Sequence, residues 1–143
     1  MKSYNDALKI LKKSNIKISN QSIKSIDGLN RISSENIYSN YDYPSADNSS
    51  VDGFAVNAKD THGISKKKFK RLKIVGSISA GSKPFKKFLK KDQAVEIMTG
   101  GILPRGTNSI IPIEKCSLIK DKTNKYILIK QKFKKFENVR FKG

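Results

Sequence analysis

The sequence predicts a mainly β protein preceded by short amino-terminal helices, an α+β arrangement. Three observations carry this. From about Tyr38 onward, short apolar runs alternate with Gly, Pro, Asn and Asp at the spacing of strands and turns. The run with the clearest helical spacing lies before Ser14. The chain has 143 residues, of which 36% are hydrophobic. That suits one domain of ordinary size, or one domain with an added terminal element.

The first helix is expected over residues 3–13. Ser3 followed by Asp6 resembles a capping box, and Tyr4, Ala7, Leu8 and Leu11 share one face. A helix this short is not stable alone, so its apolar stripe must pack on something. A second short helical segment is expected over Ser22 to Leu29, with Ile23 and Ile26 at helical spacing and a stop at Asp27-Gly28. Ile32 and Ile37 then mark a strand or extended segment. Tyr41-Asp42-Tyr43-Pro44 is a turn, because the proline biases its predecessor away from helix. Residues 45–53 have the composition of a polar loop.

Strands follow. Gly53 to Val56 leads in, Leu72 to Ile78 ends at Ala80-Gly81, and Ala94 to Met98 ends at Thr99-Gly100-Gly101. Ile110 to Ile113 contains Pro112, which points to an edge strand or a bulge. Lys115 to Ile119 and Tyr126 to Lys130 form an expected hairpin around residues 121–124. The terminal run from Asn138 to Gly143 fits neither a helix nor a strand ending and reads as a chain on its way to another element. The expected organisation is therefore 1–29 helical, 30–37 a connecting strand, 38–137 the β domain and 138–143 the start of a truncated return segment.

Composition narrows the function. The formal net charge is +18, from 26 Lys and 4 Arg against 12 acidic residues. A surplus carried by Lys everywhere suggests a compositional bias more than a ligand-shaped patch. It favours anionic ligands in general, but nucleic-acid readers lean on Arg, and Arg is scarce. The cluster Lys66-Lys67-Lys68 reads as a solvated loop. One cysteine, Cys116, rules out an internal disulfide, and its strand-like setting suggests a half-buried thiol and not a nucleophile. With one Cys and one His, His62, a zinc site of the usual kind is excluded. There is no apolar stretch of about 18 residues for a transmembrane helix, and the start lacks the apolar core of a signal peptide. The expected location is cytoplasmic.

Two constellations can carry chemistry. In Asp47-Asn48-Ser49-Ser50-Val51-Asp52-Gly53, carboxylates, an amide and hydroxyls share one loop. Such oxygen donors suit a hard cation such as Mg²⁺, or hydroxyls and backbone N–H groups suit an oxyanion. Read alone, the same residues also make an ordinary polar turn. In Ile97-Met98-Thr99-Gly100-Gly101, an apolar strand runs into a hydroxyl and two glycines. Glycine lets backbone approach a ligand, but it equally serves a turn needing positive φ. The Gly-Lys-Thr/Ser ending of a phosphate loop is missing, as are a Ser-His-Asp set and a dinucleotide fingerprint.

Together the blocks say more. Residues 48–56, Asn-Ser-Ser-Val-Asp-Gly-Phe-Ala-Val, resemble the Asn-Ser-Ala-Met-Asp-Gly-(Phe/Tyr)-Ala-Val signature of the molybdopterin molybdenumtransferases, the MoeA and gephyrin E-domain family. Ser79-Ala80-Gly81 is similar to that family's Ala-Gly turn, and residues 94–106 to its Ile-Met-Thr-Gly-Ala-x-x-Pro-x-Gly block. Residues 107–114 resemble its Ala-Asp-x-Val-Val-x-x-Glu, and Asn138-Val139-Arg140-Phe141-Lys142-Gly143 its Asn-Ile-Arg-x-x-Gly. Departures are Ser50 and Val51 for Ala and Met, Gly101 for Ala, and Asn30 where a Gly precedes Arg. Asn tolerates the left-handed region, so that turn survives.

The resemblance implies the family's amino-terminal bifurcated β-sheet domain and a transferase of molybdenum-cofactor biosynthesis. Molybdate is inserted into adenylylated molybdopterin with release of AMP, and a divalent metal, usually Mg²⁺, is required. Asp52 and Thr99 match catalytic positions, with Asp52 also the metal ligand. Ser49, Gly100 and Arg140 match substrate-binding positions. The family's pterin-binding domain lies downstream, and its site is shared between the subunits of a homodimer. This chain then holds one wall of the site and is inactive by itself, and its amino-terminal helix would pack on the missing domain. The alternatives are a truncated, non-catalytic remnant or dimerisation domain and, on charge alone, a basic nucleic-acid-binding module.

Overall fold

A computed structural model describes residues 2–14, 17–65 and 68–143. The chain divides into two compact units, one reaching to Ser39 and one spanning Asn40–Gly143.

In the first unit, helix α1 runs Tyr4–Lys13. Its start follows from the sequence: the Asp6 N–H donates to Ser3 Oγ at 3.2 Å, while the Ser3 hydroxyl donates to Asp6 Oδ2 at 2.7 Å. The chain leaves the helix at Ser14, whose N–H donates to the Ile10 carbonyl and whose hydroxyl donates to the Leu11 carbonyl. No residue of α1 is buried. The helix expected over Ser22 to Leu29 is only a 3-10 turn, Ser25–Asp27. Ile23 and Ile26 are exposed, so helical spacing found no surface to pack against. The connecting strand expected at 30–37 does not form: these residues have no sheet partner, and Ile32 and Ile37 are exposed. Asn30 does take the left-handed conformation, at φ 63°.

The second unit is built on a six-stranded sheet. Its strands are β2 (Gly53–Val56), β3 (Lys70–Ile78), β4 (Gln93–Ile97), β5 (Ser109–Pro112), β6 (Cys116–Lys120) and β7 (Lys125–Ile129), in the order β5-β2-β4-β3-β7-β6. All neighbours are antiparallel except β3 and β4, which run parallel. A parallel pair needs a long crossover, and residues 79–92 supply it. β5 is an edge strand, as Pro112 predicted. The β6–β7 hairpin closes where expected: Asp121 Oδ1 accepts the N–H groups of Thr123 and Asn124 at 2.9 and 2.8 Å.

Both faces of this sheet carry apolar clusters. Phe54, Val56, Leu72, Ala94, Ile111, Ile127, Ile129 and Phe133 pack on one side. Ala55, Ile78, Leu89, Val95, Ile97 and Ile110 pack on the other. Adjacent residues of β2, β4 and β5 alternate between the clusters, as the strand repeat of two requires. β3 breaks parity, because Leu72 and Ile78 lie on opposite sides. A bulge between Ile74 and Ser77 adds the residue that switches faces. Gly76 sits in this bulge, and a Cβ there would come within 2.6 Å of the Phe85 ring.

A second, two-stranded sheet pairs β1 (Asn48–Ser49) with β8 (Val139–Arg140), antiparallel. Both lie in stretches expected to lack strand structure. Each is two residues long and is defined by pairing with segments distant in sequence, β1 also bridging Ile102, so neither leaves a periodic signal. Lys66 and Lys67 of the expected charged loop lie outside the described residues. Among the described residues, no helix is long and apolar enough to cross a membrane.

Candidate active site

The sheet register creates the site. β2 and β4 are antiparallel, with Gly53 opposite Ile97. The residue before β2 and the residues after β4 therefore meet at one end of the sheet. Asp52 is the residue before β2, and Thr99 lies two residues beyond Ile97, where β4 ends. Asp52 Oδ1 accepts both the Thr99 N–H and the Thr99 hydroxyl, each at 2.7 Å. The backbone of Asp52 is held as well, its carbonyl accepting the Ile113 N–H at 3.1 Å. The Thr99 N–H, and after it the hydroxyl, hold the Asp52 carboxyl below its ordinary value of 3.8. Asp52 and Thr99 are both exposed, and both bonds fall on a single carboxylate oxygen, Oδ1.

Thr99 sits in a tight turn. The Gly101 N–H donates to the Met98 carbonyl at 2.9 Å, and Gly100 has φ 80°, a value that glycine adopts without strain. The Gly100 N–H donates to the Ser49 carbonyl at 2.8 Å, and the Ser49 N–H donates to the Gly101 carbonyl at 3.0 Å. β1 thereby fastens the turn. The Gly101 departure also has a local cause. A Cβ there would lie 2.8 Å from Ile97 Cγ1 and 2.9 Å from the Met98 carbonyl oxygen.

The other expected site residues are placed differently. Ser49 is fully buried, and its hydroxyl donates to the Val51 carbonyl, so it shapes the loop. The Gly100 N–H is engaged by Ser49. Arg140 lies exposed on β8, paired with Asn48. The structure therefore brings Asp52 and Thr99 into direct contact, ties Gly100 and Ser49 together behind them, and sets Arg140 on the ribbon that carries the loop. Sequence reasoning assigned no part to Asn138. Its carbonyl accepts the Ser50 N–H at 3.0 Å and the Ser50 hydroxyl at 2.9 Å, and its Nδ2 donates to the Ile110 carbonyl at 3.0 Å. Its readable signal was an Asn beside a β-branched residue, a type suited to a left-handed corner.

Among the described residues no group of three or more His, Cys, Asp or Glu side chains converges. Asp52 Oδ2 fits one ligand position of a hard cation that keeps several waters, and Thr99 fits a hydroxyl donor to an oxyanion. Cys116 is half-buried in β6, and burial, then Glu114, pushes its thiol up to about 11. That is the reverse of what a nucleophilic thiol needs. A separate cleft of about 410 Å³ is lined by residues including Asp47, Leu103, Arg105 and Lys142. None of the five expected site residues lines it.

The family model for the MoeA N-terminal region, domains I and II, matches residues 2–143. The chain belongs to this family. It is similar to the molybdopterin molybdenumtransferase of Staphylococcus epidermidis, 31% identical over 99% of this chain and 32% of that protein. It is also similar to the Staphylococcus aureus protein of the same name, 35% identical over 80% of this chain and 26% of that one. Two crystal structures of molybdopterin biosynthesis MoeA proteins from Pyrococcus horikoshii share the fold. One has a TM-score of 0.79 at 26% identity over 98% of this chain and 36% of that chain. The other has a TM-score of 0.72 at 34% identity over 97% and 34%. The mainly β reading is thus the architecture of MoeA amino-terminal domains. The chain spans about a third of the length of the curated relatives it matches.

Proposed function

We propose that this chain supplies one wall of a molybdopterin molybdenumtransferase site, where molybdate is inserted into adenylylated molybdopterin and AMP is released. The observation supporting this reading most directly is the Asp52–Thr99 contact, formed by the two family blocks that hold these residues. A carboxylate held below its ordinary value stays ionised at neutral pH. It can hold a cation through Oδ2 while Thr99 occupies Oδ1. Mg²⁺, the metal proposed here, would supply charge neutralisation at the phosphoanhydride as it is cleaved. The Thr99 hydroxyl keeps lone pairs, and by rotating away from Asp52 it becomes a donor to an incoming oxyanion. Arg140 is proposed as a substrate-binding cation. Ser49 and Gly100 act by holding the turn that presents Thr99.

The remaining contacts to the pterin belong to the part of the relatives that this chain does not span, and the working assembly is proposed to be a homodimer. The test joins this chain to those remaining domains. Asp52→Ala there is expected to lower molybdenum insertion by about a hundredfold, the scale of one lost electrostatic contact in a transition state. Unchanged turnover would remove Asp52 from the reaction. The 143-residue chain alone is expected to give no turnover, and measurable molybdenum transfer by it would overturn the shared-wall reading.

A further inference from the structure

We propose that Asn138 is the positioning residue for the Asp52–Thr99 pair, a role that rests on the reading of that pair given above. Residues 136–138 run along the free edge of β5. The Phe136 N–H donates to the Asn108 carbonyl, and the Ile110 N–H donates to the Glu137 carbonyl. The next link in that ladder comes from a side chain: Asn138 Nδ2 donates to the Ile110 carbonyl at 3.0 Å. The backbone is thereby free to turn, and Asn138 adopts φ 58°. Asn is one of the few residues to enter this left-handed region readily. The turn carries Val139 and Arg140 across to pair with Ser49 and Asn48. It also aims the Asn138 carbonyl at Ser50, which donates to it twice.

Asn138 therefore grips two segments at once. One is β5, whose continuation at Ile113 holds the Asp52 carbonyl. The other is Ser50, two residues before Asp52 on the same loop. Ser49, next to Ser50, holds Gly100 beside Thr99. Both halves of the carboxylate–threonine contact are thus referred to one residue. No other amino acid combines the left-handed backbone with a side-chain N–H donor at this reach as economically: Gly offers the first alone, Gln strains the first, and Asp presents a carboxylate to the Ile110 carbonyl.

The test reads the Thr99 amide by NMR in the 143-residue chain, without substrate, so its failure is separable from a failure of the functional reading. An N–H bonded to a carboxylate resonates downfield and exchanges slowly. Asn138→Gly keeps the backbone turn and removes the side-chain link. It is expected to move the Thr99 amide upfield and speed its exchange about fivefold or more, while Leu72 and Ile127 in the core keep their protection. A residue serving only overall stability would lower protection at Leu72 and Ile127 along with Thr99. That outcome, or an unchanged Thr99 amide, overturns the proposal. Where N138G does not fold, Ser50→Ala decides. Ser50 is exposed, and its substitution removes one of the two bonds to Asn138. A smaller change at Thr99 in the same direction supports the role, and none refutes it.

Discussion

Asp52 and Asp60 are two carboxylates with opposite pH behaviour. Asp52 is held below 3.8 by the Thr99 N–H and hydroxyl. Its folded-state value is depressed, so its contribution to stability is present above the unfolded value and lost as pH falls through the folded one. Asp52→Asn is therefore expected to flatten the acid limb of a stability–pH curve below about pH 4. Asp60 is buried, and burial is the largest influence raising its carboxyl above 3.8, against the N–H bond from Asp92. Here the charged form is disfavoured by folding, so stability falls as pH rises from the unfolded value through the folded one. Asp60→Asn keeps an acceptor for the Asp92 N–H and is expected to raise the melting temperature at pH 7 but not at pH 3. Thr61 is fully buried; its hydroxyl donates to the Ala58 carbonyl at 2.8 Å and accepts the Phe133 N–H at 3.0 Å. Thr61→Val would leave that N–H unpaired, and denaturant melts should show a loss of about 2 kcal/mol. At this scale the two motifs that hold Asp52 and Thr99 were legible, and the structure shows that these two residues touch. Asn138 was not, because its partners Ser50 and Ile110 lie 88 and 28 residues away and its work is done by pairing.

Strands with apolar cores were readable, and strands defined only by a partner were not. β3, β4 and the β6–β7 hairpin carry β-branched runs or turn residues. β1 and β8 carry neither, and the face switch in β3 is hidden because a bulge changes parity without changing composition. The parallel pairing of β3 with β4 was equally invisible, since it depends on the path of residues 79–92. Gly53 tests the register on which the site depends. A Cβ there would lie 2.0 Å from the Ile111 carbonyl oxygen, and backbone cannot yield as a side chain can. Gly53→Ala should cost about 4 kcal/mol or prevent folding, as read by circular dichroism and chemical melts. Gly76→Ala meets only the Phe85 ring, which can swing aside, so its cost should be smaller in the same assay.

For the whole molecule, charge is the dominant unfavourable field. The net +18 is opposed among the described residues by the ion pairs Lys70–Asp92 at 3.7 Å and Lys142–Asp42 at 2.9 Å, both partly exposed. Exposed pairs of this kind contribute little. Raising salt from about 0.01 to about 0.15 M shortens the screening length from about 30 to about 8 Å. The melting temperature should therefore rise with salt, and a fall would show that attractive pairs outweigh the repulsion. The Lys surplus was plain in the sequence. Its even spread also made it a poor pointer to the candidate site, which is marked by an acid and a hydroxyl, Asp52 and Thr99.

The ribbon joining Asn48 to Arg140 also bears on the order of assembly. Its ends are separated by nearly the whole of the second unit, so closing it requires the longest loop of any strand pairing among the described residues and returns few backbone bonds. The β6–β7 hairpin, with its short connection, can form early. The six-stranded sheet can follow, bringing Thr99 and Ile113 to Asp52, and the hold of Asn138 on Ser50 comes only once the final strand arrives. On a ribosome this unit would acquire its core before its last clasp: the acidic turn would lack its anchor at Ser50 until residue 140 had left the exit tunnel.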